Sequence, residues 1–176
     1  MSVITCESSA EDINGWMVLR IPKDASLKLP SRGQVMVKGT VNGIAVHMPA
    51  EPDGNASHWL HVDEDLQKKT GIARGSKVKI SIEATKDWPE PSVPADVQKG
   101  IVENPLVSTQ WSSVTPMARW EWLRWINSTA NADTRKKRID VSVSKLSLGE
   151  RRPCCFNRSM CCVPEVSKSG VLIGAL

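Results

Sequence analysis

Between Asp87 and Pro94 the chain reads DWPEPSVP, three prolines in eight residues, and the hydrophobic pattern changes period across it. Proline fixes φ and has no N–H to donate, so neither a helix nor a central strand runs through such a stretch. The segment divides the chain into two blocks, each of which must bury its own apolar residues. Before it the period is two. Gln34 to Val41 sets Val35, Val37 and Gly39 against Met36, Lys38 and Thr40, and Lys77 to Glu83 sets Val78, Ile80 and Ile82 against Lys77, Lys79 and Ser81. Alternation of this kind predicts strands with one buried face.

Asn42-Gly43 is a turn dipeptide that readily takes positive φ, so Gln34–Val41 and Ile44–Met48 form the clearest hairpin in the chain. Two further strands, Trp16–Ile21 and Trp59–Val62, follow from short apolar runs. Asp63 is placed to cap a short helix, DEDLQKKTG, with acidic residues in its first turn, lysines in its last and Gly71 as its stop. Five strands and one small helix, after a polar N-terminal tail, predict a small β-barrel over residues 15–87.

Beyond Pro94 the pattern is helical. Asp96–Glu103 and Leu106–Val114 read as short helices, and Thr115 followed by Pro116 supplies an N-cap and first-turn proline for Met117–Asn127. Asp133 is the expected cap of Thr134–Leu148, where Ile139, Val143 and Leu146 recur at i, i+4 and i+7. The expectation is a helical bundle over residues 94–149. A cysteine-bearing segment, 150–176, reads as irregular apart from its apolar end, Val171–Leu176. The fold class expected is α+β, a barrel followed by a bundle.

The 176 residues are 40% hydrophobic and 24% charged, an ordinary balance for a soluble globular chain. No apolar run approaches the ~18 residues of a membrane span. The N-terminus carries Glu7, Glu11 and Asp12 in place of a basic start and apolar core, so a cytoplasmic protein is expected. Charge is uneven: residues 1–90 hold 11 basic and 12 acidic side chains, and residues 91–176 hold 12 and 7. That excess favours weak attraction to polyanions, well short of the footprint of a dedicated nucleic-acid binder. Five cysteines, four of them within nine residues, argue against an extracellular disulfide framework.

Three segments in the second block carry a family resemblance: PADVQKGIVENP at 94–105, TPMARWEWLRWI at 115–126 and DTRKKRI at 133–139. Together they resemble the C-terminal module of the YdeI/OmpD-associated family, whose members are often labelled bacteriocin-protection proteins. VKGTVNGIAVHM and LQKKTGIARGSKVKISIE resemble the small barrel domain of unknown function fused ahead of that module, whose fold is similar to an AbrB-like double-split barrel. The resemblance covers residues 15–149. It implies a role in bacteriocin or stress tolerance. Through the barrel it also implies DNA binding, which would need a dimer presenting Lys38, Lys77 and Lys79. Where the family has a tyrosine this chain has Trp122, and it contains no tyrosine at all.

The basic run Arg135, Lys136, Lys137 and Arg138 lies in the first turns of a helix, where the dipole disfavours cations. It is open to two readings: ion pairing with Asp133, Asp140 or Glu121, or contact with an anionic partner, reinforced by Arg119 and Arg124. That partner would be a protein or a polyanion, with nucleic acid the weaker case. Trp122, Trp125 and Ile126 share a stripe expected to be core, whereas Trp120 points away from it and is a candidate partner-facing aromatic. Cys154, Cys155, Cys161 and Cys162, as PCCFNRSMCC, could hold zinc or copper(I), form a redox-active thiol pair, or pack inertly. His58 and His61 face opposite sides of a strand and His47 stands alone, so no joint histidine site is expected. No phosphate loop, nucleophile elbow or zincin motif is present. The reading is a non-enzymatic cytoplasmic binding protein, with a metal- or redox-responsive protein and a DNA-binding regulator as alternatives.

Overall fold

The computed structural model describes residues 1–154 and 156–174 and divides into two compact units. The first comprises Met1–Asp87, Asn157–Cys161 and Glu165–Leu176, and the second Trp88–Phe156 and Cys162–Pro164.

In the first unit six antiparallel strands close into a barrel in the order β1-β2-β5-β4-β3-β6. They are β1 (Ile4–Ile13), β2 (Trp16–Ile21), β3 (Val35–Val41), β4 (Ile44–Pro52), β5 (His58–His61) and β6 (Lys77–Ala84). The β3–β4 hairpin turns at Asn42 and Gly43, both at positive φ (47° and 81°), as a two-residue turn matching strand twist requires. Inward residues Leu19, Val37, Leu60, Val78, Ile80 and Ile82 fill the interior. β3 and β6 approach so closely at Gly39 that a Cβ there would lie 2.0 Å from the Ser81 carbonyl oxygen. The helix α2 (Glu64–Thr70) has the expected ends: Asp63 accepts from the Leu66 N–H at 2.8 Å, and Gly71 takes the left-handed conformation.

The sixth strand is where the polar composition of the N-terminus misleads. β1 pairs with β6 in the register Ile4↔Ile82, Cys6↔Ile80, Ser8↔Val78 and closes the barrel. Its more buried positions, Ile4, Cys6, Ser8 and Ala10, alternate with exposed Thr5, Glu7 and Ser9. Three of those four, Cys6, Ser8 and Ala10, are small and polar or weakly apolar, so the period-two burial leaves little trace in hydrophobicity.

The C-terminal segment is likewise more ordered than its composition suggests. Ser167–Lys168 (β7) and Val171–Leu172 (β8) form a minimal hairpin around Ser169 and Gly170, both at positive φ. It docks on the barrel loop after β4: the Leu172 N–H donates to the Asp53 carbonyl at 2.8 Å, and a Cβ on Gly54 would lie 2.0 Å from the Gly170 oxygen. Asn14 Nδ2 donates to the Glu165 carbonyl at 2.8 Å, and Arg20 donates to the Ile173 carbonyl.

The second unit is helical. α3 (Ala95–Val97) runs into a π turn (Gln98–Val102), followed by α4 (Ser108–Ser113), α5 (Pro116–Asn127) and α6 (Ala132–Ser147). Its core comprises Val97, Ile101, Val107, Trp111, Val114, Ala118, Trp122, Leu123, Ile126, Ile139 and Leu146. The π turn packs against α6 where Gly100 leaves room for Ile139; a Cβ there would stand 2.7 Å from Ile139 Cγ2. Thr115 Oγ1 accepts from the Ala118 N–H at 3.2 Å, capping α5 as its Thr-Pro start implies. α6, however, is capped by Asn131, whose Oδ1 accepts from the Thr134 N–H at 2.9 Å. Asp133 falls inside the first turn, where its charge complements the helix dipole. Both units together give the α+β class.

Candidate interaction surface of the helical unit

The basic residues of α5 and α6 divide into two kinds. Each arginine is used within the helical unit. Arg135 donates to both Asp96 oxygens, at 2.6 and 2.9 Å, and to Asn127 Oδ1 at 2.6 Å. These bonds hold the Asp96 carboxyl below its usual range, the Arg135 hydrogen bond being the largest cause. Arg138 donates to the Trp125 carbonyl at 2.8 Å and to Ser128 Oγ at 2.5 Å, and its guanidinium lies 5.6 Å from the Trp125 ring centroid. It therefore satisfies the C-terminal end of α5, whose last carbonyls have no partner within the helix.

Arg119 grips Glu90 through two bonds, at 2.9 and 2.5 Å, and also donates to the carbonyls of Trp111 and Val114, fastening the proline-rich segment and the α4–α5 turn to α5. Arg124 is buried, with Phe156 5.4 Å from its guanidinium carbon and Cys162 Sγ 3.4 Å from Nη2.

Lys136 and Lys137 differ. Both are exposed, and neither takes a carboxylate partner among the described residues. Trp120 is partly buried: its Nε1 donates to the Pro89 carbonyl at 2.7 Å and its ring meets Trp88 edge-on at 6.2 Å. The candidate cations and Trp120 thus sit in separate settings along the unit. Arg119 and Trp120 meet the proline-rich segment, Arg135 and Arg138 bind α6 to its neighbours, and Lys136 and Lys137 face solvent.

Two partners were not visible from spacing. Asp96 lies 39 residues before Arg135, while the carboxylates nearest in sequence, Asp133 and Asp140, are exposed on α6 itself. Glu121 is engaged by Arg152 at 3.4 Å. Pairings across a bundle leave no periodic signal.

The described cysteines have different surroundings. Cys154 is exposed and its sulfur accepts from Lys145 Nζ at 3.0 Å. Cys161, in the barrel unit, is buried and its N–H donates to the Gly170 carbonyl at 2.8 Å. Cys162 is half-buried against Arg124. Cys155 lies outside the described residues, so the four-sulfur set is described only in part. Among the described residues no three His, Cys, Asp or Glu side chains gather as a metal-binding group.

The barrel holds one polar cluster that the sequence did not signal. His58 Nδ1 lies 2.7 Å from Ser26 Oγ, and His58 Nε2 lies 2.8 Å from the Gly33 carbonyl. Arg32 donates to Ser26 Oγ at 3.2 Å and to the carbonyls of Ser26, Leu29 and Ala56. A carbonyl on Nε2 sets that nitrogen as the donor and leaves Nδ1 to accept from the serine. A serine beside an imidazole suggests nucleophilic chemistry, but Ser26 and His58 are 0% and 1% exposed, so neither reaches solvent. The cluster braces α1 (Lys23–Ser26) and the 27–34 loop against β5. His61, on the other face of β5, stacks on Trp16 with ring centroids 4.3 Å apart, and burial pushes its imidazole below the ordinary range. Of the barrel lysines, Lys38 pairs with Glu83 at 3.4 Å, and Lys77 and Lys79 are exposed on β6.

Among the described residues no helix is long and apolar enough to cross a membrane. Residues 5–82 match the family described as Domain of unknown function (DUF1905), and residues 90–149 match Bacteriocin-protection, YdeI or OmpD-Associated. No curated protein matches the chain. The helical stretch 90–149 is thus similar to the YdeI/OmpD-associated family, and the six-stranded barrel before it in sequence is similar to DUF1905.

Proposed function

We propose that this chain is a non-enzymatic cytoplasmic binding protein of the YdeI/OmpD-associated type, acting in bacteriocin or stress tolerance, and that Lys136 and Lys137 form its contact for an anionic partner. The observation that supports this most is the division of labour on α6. Arg135 and Arg138 are engaged within the unit, and the two lysines between them are exposed with no carboxylate partner among the described residues. Exposed ammonium groups keep their hydration and reach on flexible stems, which suits a reversible electrostatic contact. The face is of mixed sign, since Asp133 and Asp140 are also exposed on α6. A small surface of that kind fits an acidic protein segment better than a nucleic-acid backbone. The cytoplasmic placement draws on the odd cysteine count and tight clustering.

The test is titration of the full chain with poly-L-glutamate, inorganic polyphosphate, duplex DNA and RNA over a series of salt concentrations. Two lysines neutralising two anionic groups predict weak binding with a log–log salt slope of about −1.5 to −2. Absence of binding to every probe at low salt would remove the proposal.

A further inference from the structure

β4 changes neighbours along its length. β3 pairs with it over residues 44–50, but β5 meets it only at Glu51↔Trp59 and Pro52↔His58, and Pro49 has no N–H with which to extend that ladder. The first half of β4 is therefore a strand edge. Register shows which groups it presents. The Asn42 N–H donates to the Lys79 carbonyl on β6, so the odd-numbered residues of β3 turn their backbone groups toward β4. Their partners in register are Ile44, Val46, Met48 and Ala50, which leaves the N–H and C=O of Ala45 and His47 directed away from β3. Both residues are exposed, and neither backbone takes a partner on that side among the described residues; the His47 ring meets the Asp87 carbonyl at 2.8 Å.

An edge of this kind is a template for another strand, and proteins commonly blunt it with charge. The barrel's other partly paired strand, β1, joins β6 over residues 4–9 and β2 over residues 10–13, and it carries Glu7 on the part that lacks β2. Residues 44–50 of β4 include no Asp, Glu, Lys or Arg. Ile44, Val46 and Met48 are only partly buried against the barrel core, so the edge also offers apolar surface for a second strand to cover.

A strand of the same sequence matches this edge. With a two-fold axis at Val46, Ala45 of one copy stands opposite His47 of the other, and each such pair exchanges both of its N–H···O=C bonds. Ile44 then opposes Met48, Val46 opposes its own copy, and Pro49 opposite Gly43 ends the match on each side. No like charges confront one another. The nearest charged side chains, Lys38 and Glu83, lie on β3 and β6 and pair with each other at 3.4 Å. Pairing β4 with β1 of another copy is head-to-tail and propagates, whereas the two-fold match closes on itself.

We propose that the chain self-associates as a two-fold dimer through antiparallel pairing of β4 with β4 of a second copy, centred on Val46. The matched window is short, so the dimer is weak and forms as concentration rises. This surface belongs to the barrel and does not depend on the lysine contact of α6.

The experiment follows the full chain by sedimentation velocity from micromolar to millimolar concentration, in salt high enough to screen the α6 lysines. Amide hydrogen exchange is read residue by residue over the same series. The mass should rise toward that of a dimer. The Ala45 and His47 amides should exchange freely at low concentration and slow as the dimer forms, while the Glu7 amide is unchanged. Ala45→Pro deletes an outward N–H from each copy and no bond of the β3–β4 ladder. It should keep the urea midpoint and weaken dimerisation roughly tenfold or more. If that variant fails to fold, the wild-type exchange series decides alone. A chain that stays monomeric throughout, Ala45 and His47 amides already protected in the monomer or unslowed in the dimer, or a folded Ala45→Pro variant that dimerises as wild type overturns the proposal.

Discussion

Breaking the pair between Asp96 and Arg135 should loosen the helical unit by an amount that double-mutant analysis can isolate. The two bonds, 2.6 and 2.9 Å, are bidentate and charge-assisted, the stronger form of ion pair. Exposure limits their worth: the Asp96 side chain is 47% exposed and that of Arg135 24%. Solvent screening places such a pair near the upper end of surface salt bridges, so the coupling energy should be about 1 kcal/mol. Arg135→Gln also loses the 2.6 Å bond to Asn127. It should therefore cost about 1 kcal/mol more than Asp96→Asn, the order of one further hydrogen bond at an exposed position. Five of the seven tryptophans, Trp88, Trp111, Trp120, Trp122 and Trp125, belong to the helical unit, so urea unfolding followed by tryptophan fluorescence reports mainly on it. The sign with pH follows from linkage. The Asp96 carboxyl is lowered in the folded state, so its contribution is complete above the unfolded value near 3.8 and is lost as pH falls through the lower folded value. Arg135 stays protonated throughout. A coupling energy indistinguishable from zero at neutral pH, or one that persists unchanged in strong acid, would refute the assignment of Arg135 as a bracing residue.

Three other substitutions test separate parts of the structure. Gly54→Ala places a methyl 2.0 Å from the Gly170 oxygen at a φ of +77°, so it should release the C-terminal hairpin; limited proteolysis near residues 165–173 should speed up, and unchanged protection would contradict the docking. Ser26→Ala leaves His58 Nδ1 and one Arg32 bond without the serine, at a cost of about 1–3 kcal/mol, measurable as a lower thermal midpoint of the barrel; a loss within error would show that the cluster does not brace it. Trp122→Ala should cost about 3–5 kcal/mol, since that side chain is fully buried and donates to the Arg151 carbonyl, whereas Trp120→Ala should cost clearly less; equal losses in chemical denaturation would mean the two are equally buried.

The sequence was most informative where local signals agreed with tertiary demand. The β3–β4 hairpin is legible because Val35, Val37 and Val41 are buried in the barrel and Asn42-Gly43 gives the turn its positive φ values. The α5 start and the α2 ends are legible because their caps are local chemistry. β1 is not, since Cys6 and Ser8 occupy its more buried positions, and the β7–β8 hairpin is not, since four residues of strand become ordered through docking on Asp53 and Gly54. The α6 start offers two competent caps two residues apart, and spacing alone does not choose Asn131 over Asp133. At the site, the arginines could be singled out from composition, but their partners could not: Asp96, Glu90 and the Trp125 carbonyl meet them only through tertiary packing.

The division of the α6 cations into bracing arginines and contacting lysines is tested most directly by comparing two double variants in one binding assay with poly-L-glutamate at low salt. Lys136→Gln/Lys137→Gln should abolish binding while leaving the urea midpoint within error of wild type. Arg135→Gln/Arg138→Gln should lower the midpoint and, below it, retain binding through the lysines. Loss of binding in the arginine variant alone, with the lysine variant binding as wild type, would contradict the division.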